Sequence, residues 1–417
     1  MNILYLNHYA GSPHHGMEYR PYYLSREWVA QGHAVRLVAC SYSHVRAQQP
    51  SDGGEFLHPR SEWIDGIEYL WYPGPGYQGN GLGRVKNIWA FLSQVWRDAH
   101  KIVSEFRPDM VIASSTYPMD IWVAKRIARM SEAKLVFEVH DLWPLSPIEL
   151  GGMSPFHPFI QLCQFAENTA YREADIVVSM LPNVHDHMSN HGLDLNKLHI
   201  IPNGIALDDW QGEQQVIADD LATHIAIKHS HGNFVVGYTG FFGVQNALDA
   251  LLNTAVLLRN HPVCFVIVGD GHEKIRLTQR VELDGLDNVK IFPSIPKSQI
   301  PSLLKLFDVA YLGAPKSPIY RFGVSPNKLL DYMMAEVPVI YAIEAGNDLV
   351  AEANCGLSVR ADSPSSIAEA IMLFTQFDVE KRRGMGRNGR QFVIDNLTYN
   401  VLARRFLDVM NNGDASC

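Results

Sequence analysis

The alternation of short apolar runs with amphipathic stretches of helix length is the feature that most constrains the fold of this chain. Parallel strands joined by crossover helices produce this pattern, so the sequence predicts an α/β architecture. The predicted strands are Ile3–Asn7, Ala34–Ala39, Ile67–Tyr72, Met110–Ser114, Lys134–Val139, Ile176–Met180, Leu198–Ile201, Phe234–Tyr238, Val263–Val268, Val289–Phe292, Val309–Leu312 and Val337–Tyr341.

The strand pattern is interrupted by the polar segment from Asp209 to Asn233, which carries no strand signal. Because 417 residues are too many for one ordinary hydrophobic core, two Rossmann-like domains are expected. The predicted boundaries are 1–210 for the first domain and 211–397 for the second. The closing amphipathic stretch, at about 398–417, could form a helix that packs back on the first domain.

Composition excludes several classes of protein. The net charge is −9 and neither half is basic, so nucleic acid is not an expected partner. The five cysteines have no metal-ligand or redox spacing and are expected to be reduced thiols. No run of about 18 apolar residues is present, which excludes a membrane-spanning helix. The chain opens directly into a strand, which predicts a cytoplasmic protein, with attachment to a membrane surface left open.

The loop that follows the first strand, Asn7–Tyr19, is a candidate ligand site, because open α/β sheets bind ligands beyond the carboxyl ends of their strands. Gly11 and Gly16 would let a ligand approach the backbone, and the next helix could offer its N-terminus to a phosphate. A merely flexible loop is the alternative. The loop also holds three histidines, His8, His14 and His15. No carboxylate or cysteine has ligand spacing to them, so no metal site is predicted there.

A helix predicted over Arg84–Val103 carries Trp89 and Trp96 among basic residues. The aromatic side chains either face the core or lie partly in a membrane interface beside the basic residues. The sequence does not decide between these two orientations.

His140 and Asp141 stand at the end of the predicted strand Lys134–Val139. At that position an imidazole and a carboxylate could hydrogen-bond sugar hydroxyls or handle a proton. The alternative is a structural pair that fixes the following loop.

In the second half, the segment from Lys316 to Asp331 is the most informative. A loop containing Arg321 runs into a helix that opens near Pro326-Asn327. A proline in the first helical turn, the positive end of the helix dipole and Lys328 together suit a diphosphate. Asp331, one turn after Lys328, could accept hydrogen bonds from ribose hydroxyls. An ordinary surface ion pair between Lys328 and Asp331 is the alternative.

Five segments together resemble the retaining, GT-B-fold glycosyltransferases of glycosyltransferase family 4, over nearly the whole chain. They are the first loop ending at Gly16-Met17-Glu18, then Glu138-Val-His140-Asp141-Leu-Trp-Pro, Ile201-Pro-Asn203-Gly204-Ile, Gly269-Asp270-Gly271 and Ser325-Pro-Asn327-Lys328-Leu-Leu-Asp331. The resemblance is to the bacterial branch that builds O-antigens and capsules, including fucosaminyl-transferase-type proteins. It implies two Rossmann-like domains, an acceptor-side one and a nucleotide-sugar-binding one, whose parallel sheets face across a cleft.

The resemblance also assigns residues. His140, Asp141 and Lys328 are the expected catalytic residues, and Asp331 matches the second acidic position of the family's Glu-x7-Glu motif, which holds the donor ribose. The other expected nucleotide-sugar ligands are Gly16, Asn203, Gly240, Gly269, Asp270, Arg321, Ser325, Pro326 and Asn327. The sequence departs from the family at Gly323, which replaces the first acidic residue, and at Gly240–Asn246, which lacks the family's Arg and Lys. Lys328 with Arg321 is therefore expected to carry the diphosphate charge.

The implied activity is a retaining, metal-independent transfer of a sugar, such as N-acetylfucosamine, from a UDP-linked donor. The implied acceptor is a lipid-linked saccharide at the inner face of the membrane, and no cofactor is expected. Two alternatives stay open. One is a nucleotide-sugar epimerase on the same fold with His140 and Asp141 as acid and base, and the other is a non-catalytic nucleotide-sugar-binding protein, which Gly323 favours.

Overall fold

A computed structural model describes residues 1–50, 57–79, 81–212 and 215–412. The chain forms two compact α/β units. The first unit is Met1–Asn203 together with the C-terminal segment that begins at Tyr399, and the second is Gly204–Thr398. The first unit thus ends before the boundary expected at 210, because the chain from Gly204 onward belongs to the second unit, where Ile205 is part of the hydrophobic core.

The first unit contains an eight-stranded sheet. Its strands are β1 (Asn2–Leu6), β2 (Ala34–Cys40), β3 (Arg60–Ile64), β4 (Ile67–Tyr72), β5 (Met110–Ala113), β6 (Lys134–Val139), β7 (Ile176–Ser179) and β8 (Leu198–Ile200). They lie in the order β3-β4-β2-β1-β5-β6-β7-β8, and all neighbours are parallel except β3 and β4. The central strands are nearly continuous apolar runs because helices cover both faces of such a sheet.

Strand β3 was not predicted, and it is the antiparallel edge strand of this sheet. Its sequence is mostly polar and the side chain of Trp63 is 69% exposed, so no buried apolar run marks it. The Asp65-Gly66 turn that joins β3 to β4 has positive φ at both residues, 48° and 80°. An Asp-Gly pair between strands is a strong hairpin signal in sequence.

Seven helices of the first unit precede its C-terminal segment within the described ranges. They are α1 (Arg20–Ala30), α2 (Leu82–Arg97), α3 (Ala99–Phe106), α4 (Asp120–Ser131), α5 (Leu145–Glu149), α6 (Pro158–Glu173) and α7 (His185–Asn190). The single helix predicted over Arg84–Val103 is wrong, since α2 and α3 are separated at Asp98. Asp98 leaves helical geometry with ψ of 3°, and its carboxylate accepts a hydrogen bond from the Tyr72 hydroxyl at 3.2 Å.

The second unit contains a six-stranded, fully parallel sheet in the order β11-β10-β9-β12-β13-β14. The strands are β9 (Phe234–Phe241), β10 (Val263–Asp270), β11 (Val289–Phe292), β12 (Val309–Gly313), β13 (Val339–Ala342) and β14 (Gly356–Ser358). The last of them was not predicted, because three residues at a sheet edge are too few to show a period.

Nine helices accompany this sheet within the described part of the second unit. They are α8 (Asp208–Gln211), α9 (Asp219–Ser230), α10 (Leu248–Leu257), α11 (Lys274–Leu283), α12 (Ile300–Leu304), α13 (Asn327–Met334), α14 (Leu349–Glu352), α15 (Pro364–Gln376) and α16 (Val379–Asn396). Helix α16 approaches the end of α13 closely. A Cβ atom added at Gly386 would lie 1.9 Å from the carbonyl oxygen of Glu336, so only glycine allows this contact.

The C-terminal helix, α17 (Tyr399–Asn412), belongs to the first unit. It packs on α1, where the Trp28 indole donates a hydrogen bond to the Ala403 carbonyl at 3.1 Å and Tyr23 stacks on Tyr399. Within the predicted stretch at about 398–417, the described helix is α17, while the preceding α16 belongs to the second unit.

The strand order of each sheet reverses beside the first strand of its unit. Strand β1 lies between β2 and β5, and β9 lies between β10 and β12. Ligands of open α/β sheets bind beyond the carboxyl ends of the strands at such a point. Among the described helices, none is both long and apolar enough to span a bilayer.

Candidate active site

A buried carboxylate, Glu138 near the end of β6, centres a hydrogen-bond network in the first unit. Its Oε1 accepts from Arg20 Nε at 2.9 Å, and its Oε2 accepts from the Tyr5 hydroxyl at 2.5 Å and from Ser114 Oγ at 2.6 Å. The side chains of Glu138 and Arg20 are 0% and 1% exposed. Both carboxylate oxygens are thus satisfied, as a buried charge requires.

The Arg20 guanidinium joins this network to the end of the first unit. Its Nη1 donates to the Pro202 carbonyl at 2.6 Å and its Nη2 donates to the Ile201 carbonyl at 2.9 Å. The predicted ligand Asn203 follows directly in the chain. Arg20 therefore fixes the backbone that presents Asn203.

His140 shares Glu138 with the other members of the network. Its Nε2 lies 2.8 Å from Ser114 Oγ and 3.2 Å from Glu138 Oε2. Because the Ser114 hydroxyl donates to Glu138, the Nε2–H of His140 is the donor toward both oxygens. The imidazole pairs with Glu138, whereas the predicted partner Asp141 is exposed to solvent.

The network sets the protonation of its two titratable members. Burial opposes ionisation of Glu138, but the Arg20 charge and the hydrogen bonds from His140 and Ser114 hold the pKa of this carboxyl well below its usual range. Burial alone would lower the pKa of His140, yet the hydrogen bond to Glu138 and the charges of Glu138 and Glu18 raise it. An ionised Glu138 therefore favours a protonated His140.

The Gly16 loop is closed by its own backbone hydrogen bonds. Gly11 N donates to the Glu18 carbonyl at 2.8 Å, and Ser12 and Gly16 exchange a pair of bonds at 3.1 and 2.8 Å. A Cβ atom at Gly11 would lie 1.8 Å from the Gly16 carbonyl oxygen, and Gly16 has a φ of 92°. The glycines thus permit a tight turn, which is a different role from the flexible loop that was the alternative.

The three histidines of this loop have separate surroundings. His8 is buried between the Tyr117 hydroxyl and the Asn87 amide oxygen, each at 2.7 Å, and burial lowers its pKa to about 3. His15 contacts the Ser12 hydroxyl at 2.9 Å, and His14 is exposed. His8 is therefore a neutral, hydrogen-bonded core residue.

In the second unit, the ammonium of Lys328 has neutral partners. It donates to the Tyr238 hydroxyl at 3.0 Å and to the side-chain oxygen of Asn246. Within the described ranges no carboxylate lies within 4 Å of it. Burial lowers the pKa of Lys328 to about 8, so the side chain is mostly protonated at pH 7. Its positive charge is not neutralised by the protein.

Lys328 stands in the first turn of α13, which begins at Asn327 after Pro326 in the N-cap position. Pro326 was predicted to lie inside the first helical turn, but it stands one residue before the helix begins. No side chain caps this end of the helix. The first amide hydrogens of a helix have no intrahelical partner and attract anions. The Lys328 charge and these amides therefore lie in the same turn.

Gly240, at the end of β9, makes room for Lys328. A Cβ atom there would lie 2.8 Å from Lys328 Cδ and 3.3 Å from its Nζ. Gly269 on β10 pairs with Gly240 in register, and a Cβ atom on Gly269 would lie 1.9 Å from the Gly240 carbonyl oxygen. The two predicted glycines therefore bring β9, β10 and the Lys328 side chain into close contact.

A pocket of about 300 Å³ opens beside these glycines. Its lining includes Gly240, Gly269, Asp270, Ser294 and Ile295. The Asp270 carboxylate accepts from the Gly271 amide at 2.8 Å and from Lys274 at 2.9 Å, and the Lys274 hydrogen bond lowers its pKa. The volume lies at the lower end of the range for small-molecule pockets, and its mixed lining suits a nucleobase.

Asp331 lies one turn after Lys328 on α13 and is partly buried. Burial raises its pKa to about 7, while the charge of Lys297 lowers it and that of Asp209 raises it. Near neutral pH the carboxyl group can therefore either donate or accept a hydrogen bond. The Lys297 ammonium itself pairs with Asp209 at 2.6 Å.

The loop before α13 places the remaining predicted ligands. Arg321 is exposed in a 3-10 turn, where its guanidinium lies over the Phe322 ring and donates to the Pro318 carbonyl at 2.5 Å. Gly323 ends that turn with a φ of 100°, a backbone conformation that favours glycine. Ser325 is half-buried two residues further on. The missing first acidic residue thus coincides with a left-handed backbone position.

The sequence did not single out four of these participants, Arg20, Tyr5, Tyr238 and Asn246. Their contacts with Glu138 or Lys328 span 82 to 133 residues, and nothing local marks them. Glu138 did carry a signal, because it is a lone charge in the otherwise apolar end of the strand Lys134–Val139.

Comparison with known proteins gives two family matches. Residues 15–204 match the glycosyl transferase 4-like domain, and residues 233–376 match the glycosyl transferases group 1 family. The chain is 23% identical over 328 residues to the putative colanic acid biosynthesis glycosyl transferase WcaI of Escherichia coli (strain K12), covering 78% of this chain and 79% of that protein. It is 23% identical over 314 residues to the probable glycosyltransferase WbjE of Pseudomonas aeruginosa, with 74% and 75% coverage.

The fold is shared with Anabaena HepE, solved in complex with UDP and glucose. The two chains superpose with a TM-score of 0.65 at 16% identity over 99% of each. The predicted fold class, with two Rossmann-like α/β domains built on parallel sheets, is confirmed.

Proposed function

Since its two domains are those of a GT-B glycosyltransferase, we propose that this protein transfers a sugar from a UDP-linked donor to a saccharide acceptor during surface polysaccharide synthesis. Two relatives support the biological role, one named for colanic acid biosynthesis. Anabaena HepE, which shares the fold, binds UDP and glucose, and this supports the donor class.

The observation that carries the proposal is the uncompensated charge of Lys328 in the first turn of α13. A diphosphate needs positive charge and amide donors, and this turn offers both. The adjacent pocket lined by Gly240, Gly269 and Asp270 would take the nucleobase. Asp331, one turn further along α13, would bind the ribose hydroxyls. Arg321, Ser325 and Asn327 belong to the same proposed site.

In the proposed reaction, the bond between the anomeric carbon and the donor phosphate oxygen breaks, and the electron pair stays on the diphosphate. Lys328 and the amides of α13 stabilise that developing charge, which is the role a divalent cation takes in other transferases. The acceptor hydroxyl attacks the same face of the sugar and gives its proton to a donor phosphate oxygen. The configuration is thereby retained and no protein nucleophile or cofactor takes part.

The residues of the first unit that the family resemblance assigns to the donor are part of the same proposal. A protonated His140, held by Glu138 and Ser114, would donate a hydrogen bond to the sugar or its phosphate, with Asp141 exposed next to it. Gly16 and Asn203 would approach the donor through their backbones. With Gly323 in place of a carboxylate, the donor-sugar hydroxyls need other partners. N-acetylfucosamine is proposed as the donor sugar on the family resemblance alone.

The proposed acceptor is a lipid-linked saccharide at the inner face of the membrane, and the first unit has a surface suited to that place. Trp89 and Trp96 on α2 are 40% and 42% exposed, and Phe165 on α6 is 59% exposed. Trp89 stacks with Trp122, and Arg126 lies 4.7 Å above the Trp96 ring. Aromatic rings beside cations are typical of peripheral membrane attachment.

A screen of nucleotide sugars for thermal stabilisation tests the proposed function. We expect UDP and at least one UDP-sugar to raise the melting temperature of the wild-type protein but not of the Lys328→Ala variant. The best binder is then incubated with and without a lipid-linked acceptor, and the products are analysed. Transfer only in the presence of the acceptor supports a glycosyltransferase. Conversion to a new sugar nucleotide without acceptor would identify an epimerase instead, and no binding by any nucleotide sugar would exclude both.

A further inference from the structure

Two histidines and a glutamate form a cluster in the first unit that the proposed transfer reaction does not use. Glu167 lies on α6, and His187 and His191 lie on and directly after α7, four residues apart. One side-chain ligand atom from each of the three lies within 4.8 Å of the other two. His187 Nε2 is already 3.2 Å from Glu167 Oε1. Ligand atoms around a tetrahedral zinc ion are about 3.3 Å apart, since its bonds are about 2.0–2.1 Å long.

The helical spacing places both imidazoles on one side of the chain. His191 N donates to the His187 carbonyl at 3.2 Å, so the last turn of α7 continues to His191, and the two ring centroids lie 4.4 Å apart with the rings tilted by 38°. Two histidines four residues apart on a helix are a recurrent arrangement of zinc ligands. Glu167 approaches them from a neighbouring helix.

The surroundings of the cluster orient its ligand atoms. His191 Nδ1 lies 2.7 Å from the His187 carbonyl and can only donate to it, which leaves Nε2 of the neutral ring with a lone pair. The Glu167 carboxylate accepts from the Tyr171 hydroxyl at 2.9 Å and from Gln164 at 2.7 Å. Zinc ligands in proteins are held by this kind of outer hydrogen bond.

The burial of Glu167 and His187 favours binding of a cation. The Glu167 side chain is 2% exposed and that of His187 is 10% exposed. A buried carboxylate is costly to desolvate, and a divalent cation would compensate its charge. We propose that Glu167, His187 and His191 form a binding site for a divalent transition-metal cation, with zinc as the best match and a water molecule as fourth ligand.

The cation would fasten α7 to α6, because its ligands come from both helices. Glu167 also borders a small cavity, with room for about one water molecule, that reaches His140 and Trp143. A bound cation would therefore restrict the motion of Glu167 and of the cavity wall that includes His140. All three proposed ligands belong to the first unit, whereas the proposed nucleobase pocket is lined by residues of the second unit.

Titration of tag-free, EDTA-treated full-length protein with Zn²⁺ by calorimetry tests this proposal. We expect one cation per chain and a higher melting temperature in the zinc-loaded protein. His191→Ala and Glu167→Gln should each weaken zinc binding at least ~10-fold, since even second-shell changes cost that much. The matched control is His185→Ala, an exposed histidine on the same helix. Co²⁺ in place of zinc should give the visible absorption of a tetrahedral site.

The comparison among variants decides the outcome, because the chain has 18 histidines and weak zinc binding elsewhere is expected. Equal zinc affinity in the wild type, His191→Ala and His185→Ala would overturn the proposal, as would an octahedral Co²⁺ spectrum. Glu167→Gln keeps the side-chain volume, so it remains informative if His191→Ala does not fold.

Discussion

Each of the two units buries one charged side chain near the carboxyl ends of its strands. The partners of these two side chains differ. In the first unit the Glu138 carboxylate is matched by Arg20 and accepts hydrogen bonds from Tyr5 and Ser114. In the second unit the Lys328 ammonium has only neutral oxygen partners among the described residues. One charge is neutralised within the protein, and the other is the one that we propose to bind the donor diphosphate.

This difference indicates how the work is divided. The Glu138 carboxylate is fully paired, so it has no free hydrogen-bonding capacity for a substrate. We infer that its network instead orients His140 and the backbone that precedes Asn203. The protonated form of Lys328 is less stable in the free protein, because burial lowers its pKa. An anion bound beside it would stabilise the positive charge. Charge pairing therefore separates a supporting network from a binding group.

The largest effect is expected from Arg20→Met, which removes the partner of Glu138. A buried carboxylate left unpaired costs about 3–5 kcal/mol of stability. Urea denaturation of the full chain measures this loss. The control is Arg26→Met on the same helix, where a partly exposed pair with Glu27 should contribute less than about 1 kcal/mol. If both variants lose the same stability, Glu138 is not held by Arg20 in the way described.

The loss of stability in Arg20→Met should also depend on pH. Burial raises the pKa of Glu138, but Arg20 lowers it below the unfolded value of about 4.3. The ion pair therefore stabilises the fold above pH ~4.3, and this contribution is lost as the pH falls toward the folded pKa. In Arg20→Met, only the His140 interaction and the Ser114 hydrogen bond still oppose the effect of burial on the pKa of Glu138, so the carboxyl becomes protonated more readily. The stability difference from wild type should shrink between pH 7 and pH 4.

The second effect concerns Lys328→Ala, which removes the charge that faces the ligand. We expect turnover to fall at least ~100-fold, or about 2.7 kcal/mol of transition-state stabilisation, with the fold intact. Steady-state kinetics with the best donor measures it, and Lys381→Ala on α16 is the control. An unchanged rate would remove Lys328 from the mechanism, and the contrast between the two units would then have no functional meaning.

A smaller effect follows from the pKa of about 8 for Lys328 in the free protein. Between pH 7 and pH 9 the protonated fraction falls about tenfold, so the Kd for UDP should rise by about that factor. Calorimetry with UDP across this range measures it. Lys328→Ala should bind weakly at every pH. A UDP affinity that is constant to pH 9 in the wild type would show that the free ammonium keeps its proton.

The fold was readable from sequence where burial is periodic along the chain. Strand β1 contributes four fully buried residues in a row, and its apolar run is visible without a structure. Strand β3 has no such run, and only the Asp65-Gly66 turn points to it. Edge strands face solvent, so the hydrophobic pattern that identifies central strands is weak in them.

The site was readable where its parts are close in sequence. Lys328 and Asp331 share one helix, and spacing alone places them one turn apart. Asn246 and Tyr238, which hold the Lys328 ammonium, stand 82 and 90 residues away from it. Such contacts depend on strand order, which no local pattern specifies.

The smallest expected effect concerns Trp89 and Trp96 on the surface of the first unit. It tests whether these rings bind a membrane. Trp89→Ser with Trp96→Ser removes two rings that are 40% and 42% exposed, so we expect binding to anionic vesicles to weaken about fivefold without a lower melting temperature. Vesicle co-sedimentation and thermal unfolding measure the two quantities, with Trp63→Ser on the edge strand β3 as an exposed-tryptophan control. Because Trp89 and Trp96 also contact Trp122 and Arg126, a lower melting temperature with unchanged vesicle binding would assign both rings to packing and leave the first unit without a membrane surface.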